Sequence, residues 1–132
     1  MGSSLLCDVW HNDTNKKTKS GCETVLLIRA IVRPEKKDEV LAELSGAGFN
    51  AATMVDVVGR GKQKGIKIGG LVYDEIPKIL ILMVIPDEEK EKVVQIILKN
   101  ARTGTEGTFG DGKIFVSPVE EAYTISRNSK GL

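Results

Sequence analysis

Residues 59–78 constrain this chain more than any other stretch, because they separate two strand-like runs, 53–58 and 79–85, by far more residues than a hairpin needs. Connections in compact domains run to about 4–6 residues, and much longer ones without structure of their own are usually functional or disordered. This one holds Gly59, Gly61, Gly65, Gly69 and Gly70. Arg60, Lys62, Lys64 and Lys67 follow one another with no acid between them, and Asp74 and Glu75 arrive only at the exit. Strands joined this way share a sheet, with a cationic segment projecting from its end. That segment is either a solvated hairpin tip or a surface for an anion or a partner.

Composition removes several classes of function. At 132 residues the chain is one domain by length, able to bury roughly two-thirds of its unfolded surface. A formal charge of +1 supplies no global positive field, so a general nucleic-acid binder is not expected. No apolar run approaches the ~20 residues of a membrane span, and no basic-then-apolar leader opens the chain. A cytoplasmic protein without membrane insertion is expected. Cys7 and Cys22, both in a polar segment, make neither a disulfide framework nor a metal site. The single histidine, His11, lies in the same segment, which disfavours catalysis by a histidine base. The chain reads as a non-enzyme.

Residues 1–23 are polar and aperiodic and read as a disordered N-terminal extension or an appended leader, leaving 24–132 as the domain. Residues 24–33 are β-rich and closed by Pro34. Val40, Leu41, Leu44 and Ala47 give 35–47 a helical period, with Gly48 as its stop. Residues 51–58 predict a second strand. Residues 79–85 predict a third, apolar without alternation, as in a strand covered on both faces. Acids at 87–89 after Pro86 open a second helix, faced by Val93, Val94, Ile97, Leu98 and Ala101. A second glycine-rich loop at 103–113 leads to a fourth strand, 114–116, and 123–125 predicts a short edge strand. The order is that of an α+β, ferredoxin-like βαββαβ fold: an antiparallel sheet, both helices on one face, and a long loop between strands 2 and 3. Two helices cannot cover both faces, so oligomerisation is the expected cover for the second.

Gly107 to Lys113 fits the spacing Gly-x-x-x-x-Gly-Lys. In a P-loop that spacing cradles phosphate with backbone N–H groups and a lysine. Here Ile114 stands where a Ser or Thr would ligate magnesium, and a strand follows instead of a helix, which argues against a P-loop hydrolase. The surviving alternatives are a tight turn with a solvated lysine, or an anion cradle built from Gly110, Gly112 and Lys113.

The two loops together, Gly59-Arg60-Gly61-Lys62-Gln63-Lys64-Gly65 with Pro77-Lys78, and Arg102-Thr103-Gly104 with Gly110-Asp111-Gly112-Lys113-Ile114-Phe115-Val116, closely resemble the PII signal-transduction family. The resemblance runs from about residue 25 to 125 and takes in Arg33-Pro34, Ala47-Gly48 and Val84-Ile85-Pro86-Asp87. It implies a trimer, nucleotide bound between neighbouring subunits, and control of nitrogen metabolism through contact with target proteins. The run from Met54 to Gly61, the short loop at 66–76, the longer spacer Gly107-Thr108-Phe109-Gly110 and the ending from Val116 to Ile125 are most similar to the nitrogen-fixation, NifI-type branch. Such proteins work as paired paralogues that inhibit dinitrogenase and are released by 2-oxoglutarate together with ATP. The chain looks like the first of the pair.

The resemblance assigns roles residue by residue. Gln63 would help hold Mg²⁺ and 2-oxoglutarate. Gly61, Lys62, Lys64 and Gly65 flank it, and Lys78 would pair with the far carboxylate. Gly110, Gly112 and Lys113 match the phosphate loop; Thr53 and Asp111 match positions near adenine and ribose; Gly59 permits close approach of ATP or ADP. Ile66, Lys67, Leu71, Val72 and Tyr73 would form the partner-contact loop towards a nitrogenase component. The assembly would be a homotrimer or a mixture with a paralogue. Three departures stand out. The loop is about four residues shorter than the ordinary one, and Tyr73 sits in an unlike context for modification. Thr124 and Ser126 occupy the places of two nucleotide-reaching arginines, leaving Arg127 as a displaced candidate. Residues 1–23 have no match. The alternatives are an ordinary PII module acting on an ammonium channel or a biosynthetic enzyme, or a small nucleotide hydrolase.

Overall fold

The computed structural model describes residues 24–60, 66–68, 71–73 and 75–132. Along β1 (Val25–Val32), Ile28, Ala30 and Val32 are buried while Arg29 is exposed, the period-two pattern of a strand with one covered face. Pro34 stops the ladder and opens a 3-10 turn, Pro34–Lys36, that feeds α1 (Lys37–Gly46). α1 buries Val40 and Leu44, one turn apart. It closes at Gly48, whose φ of 98° lets the N–H of Phe49 turn back to Leu44 O at 2.8 Å.

β5 (Glu75–Pro86) is longer than expected and β2 (Thr53–Arg60) starts and ends two residues later than expected, since their antiparallel pairing runs from Thr53↔Leu82 out to Arg60↔Glu75. The long connection is therefore shorter than 59–78, and it has structure of its own: β3 (Ile66–Ile68) pairs with β4 (Leu71–Tyr73). A 3-10 turn, Asp87–Glu89, leads into α2 (Lys90–Ala101), which buries Val93, Ile97 and Ala101 at helical spacing. β6 (Gly112–Val119) is twice the expected length and more; it carries Pro118, tolerated because β6 is an edge strand. Residues 123–125 do not extend the main sheet. Tyr123 and Thr124 form β7 (Tyr123–Thr124), which pairs instead with β8 (Ser129–Lys130) in a separate hairpin turned by Asn128 at φ 51°.

The four-stranded sheet has the order β2-β5-β1-β6, antiparallel throughout, and α1 packs on α2 over one of its faces. This is the ferredoxin-like arrangement. Ile79, Ile81, Met83 and Ile85 point into the core beneath the helices, with Ile28, Ala30 and Val32 beside them. Each large aliphatic side chain fully buried here contributes about 1.5–3 kcal/mol. The run 79–85, unalternating in composition, alternates in burial: Leu80 and Leu82 are half-buried and Val84 exposed on the opposite face. Register places Val55 opposite Leu80, and Phe115 beside Arg29 opposite Leu82, on that same uncovered face. Among the described residues, no helix is long and apolar enough to cross a membrane.

Candidate functional site

The site grows out of the sheet's register. β1 lies between β5 and β6, with Val32 opposite Ile79 on one side and Gly112 on the other. One residue beyond that rung, Arg33 falls beside Lys78 of β5 and Asp111 at the mouth of β6. A cation, a cation and an anion from distant parts of the chain thus meet at one end of the sheet.

Their contacts bind the second glycine loop to the strands. Arg33 Nε donates to Asp111 Oδ1 at 3.0 Å, and its terminal NH2 nitrogen donates to Phe109 O at 2.9 Å. Lys78 Nζ donates to Gly110 O. Three consecutive residues, Phe109, Gly110 and Asp111, therefore supply acceptors to two strand cations. Asp111 also takes Thr103 Oγ1 at 2.6 Å, Thr103 N at 3.0 Å and Thr108 N at 2.9 Å. Burial works against its charge, but these donors and Arg33 outweigh it and hold the carboxyl well below the usual range.

Lys78 is 8% exposed. Its burial, then the nearby Arg33 charge, lower its pKa, offset in part by Glu35 and Asp111. A desolvated ammonium beside a guanidinium is a poor place for a bare cation and a good one for an anion. Gly59, across the β2–β5 pair, lies beside the lysine stem: a Cβ there would stand 3.5 Å from Lys78 Cγ, at ordinary van der Waals contact. At Gly112 no side chain fits. Its φ is 115°, and a Cβ would lie 1.7 Å from Ile31 O.

Of the residues expected from sequence, the structure brings Lys78, Gly59, Gly110, Asp111 and Gly112 together, with exposed Lys113 next in line on β6. Thr53 starts β2, exposed, opposite Leu82. Arg127 donates hydrogen bonds to Thr124 Oγ1 of β7 at 3.3 Å and to Leu132 O, just past β8. Gly61, Lys62, Gln63, Lys64 and Gly65 lie outside the described residues. Ile66 and Lys67 belong to β3, and Leu71, Val72 and Tyr73 to β4. Sequence reasoning noted Arg33 as the end of a strand and missed it as a site residue. No local signal marked it, because its role comes from lying one residue past a strand that pairs on both sides.

Residues 25–129 match the pattern of the family described as nitrogen regulatory protein P-II. The chain belongs to the P-II family. P-II proteins are regulatory. Within the family, the nitrogen fixation nifHD region GlnB-like protein 1 of Methanobacterium ivanovii is 56% identical over 106 residues, 80% of this chain and 98% of that protein. Its namesake from Methanococcus maripaludis is 54% identical over the same shares. A nifHD region GlnB-like protein 2 of Methanococcus maripaludis is 37% identical over 118 residues, 79% of this chain and 94% of that one. The resemblance to the first of the paired nitrogen-fixation paralogues is thereby borne out. Among solved structures, Arabidopsis thaliana PII bound to citrate superimposes with a TM-score of 0.67 at 29% identity, over 83% of this chain and 87% of that one.

Proposed function

We propose that this P-II protein is a non-enzymatic sensor that binds ATP or ADP and 2-oxoglutarate at clefts between subunits and controls nitrogenase through its loop. The observation that carries this is the parity of the sheet. Thr53 and Gly59 on β2, Lys78 on β5 and Lys113 on β6 all fall on the face that α1 and α2 leave uncovered. A ligand held by them would lie where a second subunit packs, so covering the face and completing the site are one event. This supports a trimer, either of one chain or mixed with a paralogue.

The chemistry fits two anions. Lys113 and the glycine-loop N–H groups suit a polyphosphate, while Lys78 and Arg33 suit a dicarboxylate. Citrate on the Arabidopsis protein is consistent with a polycarboxylate effector. Among the described residues no group of three or more His, Cys, Asp and Glu could hold a metal. A Mg²⁺ here would take oxygen from the nucleotide and the acid, with Gln63 as the chain's ligand, and would screen their mutual repulsion.

Control follows if the two ligands prefer one arrangement of the segment that contains β3 and β4. Ile66, Lys67, Leu71, Val72 and Tyr73 then dock on a nitrogenase component when 2-oxoglutarate is scarce and withdraw when it binds. The relatives named for the nifHD region support this target. The test is calorimetry of ATP with Mg²⁺, with and without 2-oxoglutarate, on wild type and Lys78→Ala. Mutual tightening is expected in wild type, and loss of the acid response with ATP binding kept is expected in Lys78→Ala. An unchanged response in Lys78→Ala would sink the proposal.

A further inference from the structure

Resting on that proposed function, we infer that Asp111 is a positioning residue and not a ligand contact: it shapes the glycine loop for a phosphate and holds Arg33 as that cation's internal counter-ion. The first ground is capacity. An ionised carboxylate offers about four lone-pair sites, and four protein donors converge on this one: Arg33 Nε and Thr103 Oγ1 on Oδ1, Thr103 N and Thr108 N on Oδ2. Nothing remains for a ribose hydroxyl.

The second ground is where those donors come from. Thr103 and Thr108 stand at the start and in the middle of the loop, and Gly110 and Gly112 flank Asp111 itself. The carboxylate therefore ties the loop's start to its end, and the amides of Gly110 to Lys113 take their places from it. Arg33 comes from β1. With Nε on Asp111 and its terminal NH2 group on Phe109 O, the guanidinium is turned towards the loop and its charge is largely cancelled. Lys78, beside it, is left as the less compensated cation.

Two effects of opposite sign follow in Asp111→Asn. The amide nitrogen would face the N–H groups of Thr103 and Thr108, which loosens the loop and weakens a polyphosphate by about tenfold or more. The lost charge leaves Arg33 uncompensated next to Lys78, which tightens a dicarboxylate by about two- to fivefold. A residue that merely holds the fold together would weaken both.

The experiment titrates the full chain with ATP and Mg²⁺, then with 2-oxoglutarate at saturating nucleotide, in wild type, Asp111→Asn, Arg33→Met and the double variant. The expected result is weaker ATP and tighter 2-oxoglutarate in Asp111→Asn, with the tightening abolished when Arg33 is also gone. Parallel loss of both affinities, or a tightening that survives in the double variant, overturns the inference. Should Asp111→Asn fail to fold, Thr103→Val keeps the carboxylate charge and removes one loop tie. It should weaken ATP and leave 2-oxoglutarate unchanged, and the reverse pattern overturns the inference. A wild type that binds ATP but ignores 2-oxoglutarate would defeat the sensor proposal alone. The inference would then fall on an unchanged ATP affinity in Asp111→Asn.

Discussion

Gly112→Ala isolates the contact on which the site is mounted. Gly112 opens β6 opposite Val32, with φ 115°, and a Cβ there would meet Ile31 O at 1.7 Å, Ile31 C at 2.8 Å and Val32 Cα at 3.3 Å. All three are backbone atoms of β1, which β5 grips from its other side, so they cannot rotate away. Either β6 lifts off β1 at this rung or the residue abandons its φ. Holding a non-glycine residue in such a conformation costs about 1–3 kcal/mol, and each strand hydrogen bond lost adds about 1 kcal/mol. With two such bonds lost, the expected penalty is about 3–5 kcal/mol, a large part of a stability of 5–15 kcal/mol typical of such domains. Gly104→Ala is the control. It also has a positive φ, 69°, but nothing lies within 4 Å of its Cβ, so only about 1–2 kcal/mol is expected. Urea unfolding at one fixed protein concentration reads the difference, the concentration being fixed because assembly would shift the midpoint. At an m-value of about 2 kcal/mol per molar, the two midpoints should differ by about 1 M. Equal midpoints would mean that β6 yields freely at Gly112, and the account of the loop's mounting would be wrong.

Leu44→Ala, fully buried between α1 and the sheet, should lose about 2–5 kcal/mol in the same assay, with an unchanged m-value. Asp111 contributes stability that is present above the ordinary carboxylate pKa and is lost as pH falls towards its depressed folded value. The urea midpoint should therefore drop below about pH 4 in wild type and drop less in Asp111→Asn. Lys78 has the opposite linkage: its folded pKa lies below 10.5, so the unfolded chain holds the proton longer and stability rises with pH through the window below 10.5. Affinity for 2-oxoglutarate should fall over that same window in wild type, and Lys78→Met should be weak and flat across it.

The helices, the four main strands and their order could be read from period and punctuation because those signals are local. Gly48 after the Val40–Leu44 face and Pro34 after a β-rich run each act within a few residues. The ends of β2 and β5 could not be read the same way. Pro77 and Lys78 have weak strand character, and the pairing of residues 76–78 depends on register with Val57, Val58 and Gly59, a non-local fact. The β7–β8 hairpin was hidden for the same reason, since it turns on Asn128 in a left-handed conformation that composition does not announce. In the site, the glycine loop and Lys78 were legible as residue types in a pattern. Arg33 was not, because its role comes from lying between two strands that are distant in sequence.

That position explains why the cations and the loop constrain one another. Lys78 is held by the central strand β5, which cannot shift without disturbing Ile79 and Ile81 in the core one and three residues on. Arg33 is held by Pro34 and the turn into α1, whose helix buries Val40 and Leu44. The glycine loop between α2 and β6 has neither anchor. Its conformation is set by Thr103, Thr108 and the two strand cations closing on Phe109, Gly110 and Asp111. Each cation has donors to spare beyond those it gives the loop, so an anion held there would share the cation with the loop's carbonyls while the strands stay fixed. On the proposed function, a ligand at Lys78 and Arg33 would be felt first by the loop that carries Gly110, Gly112 and Lys113, and coupling between the two halves of the site would need no motion of the sheet.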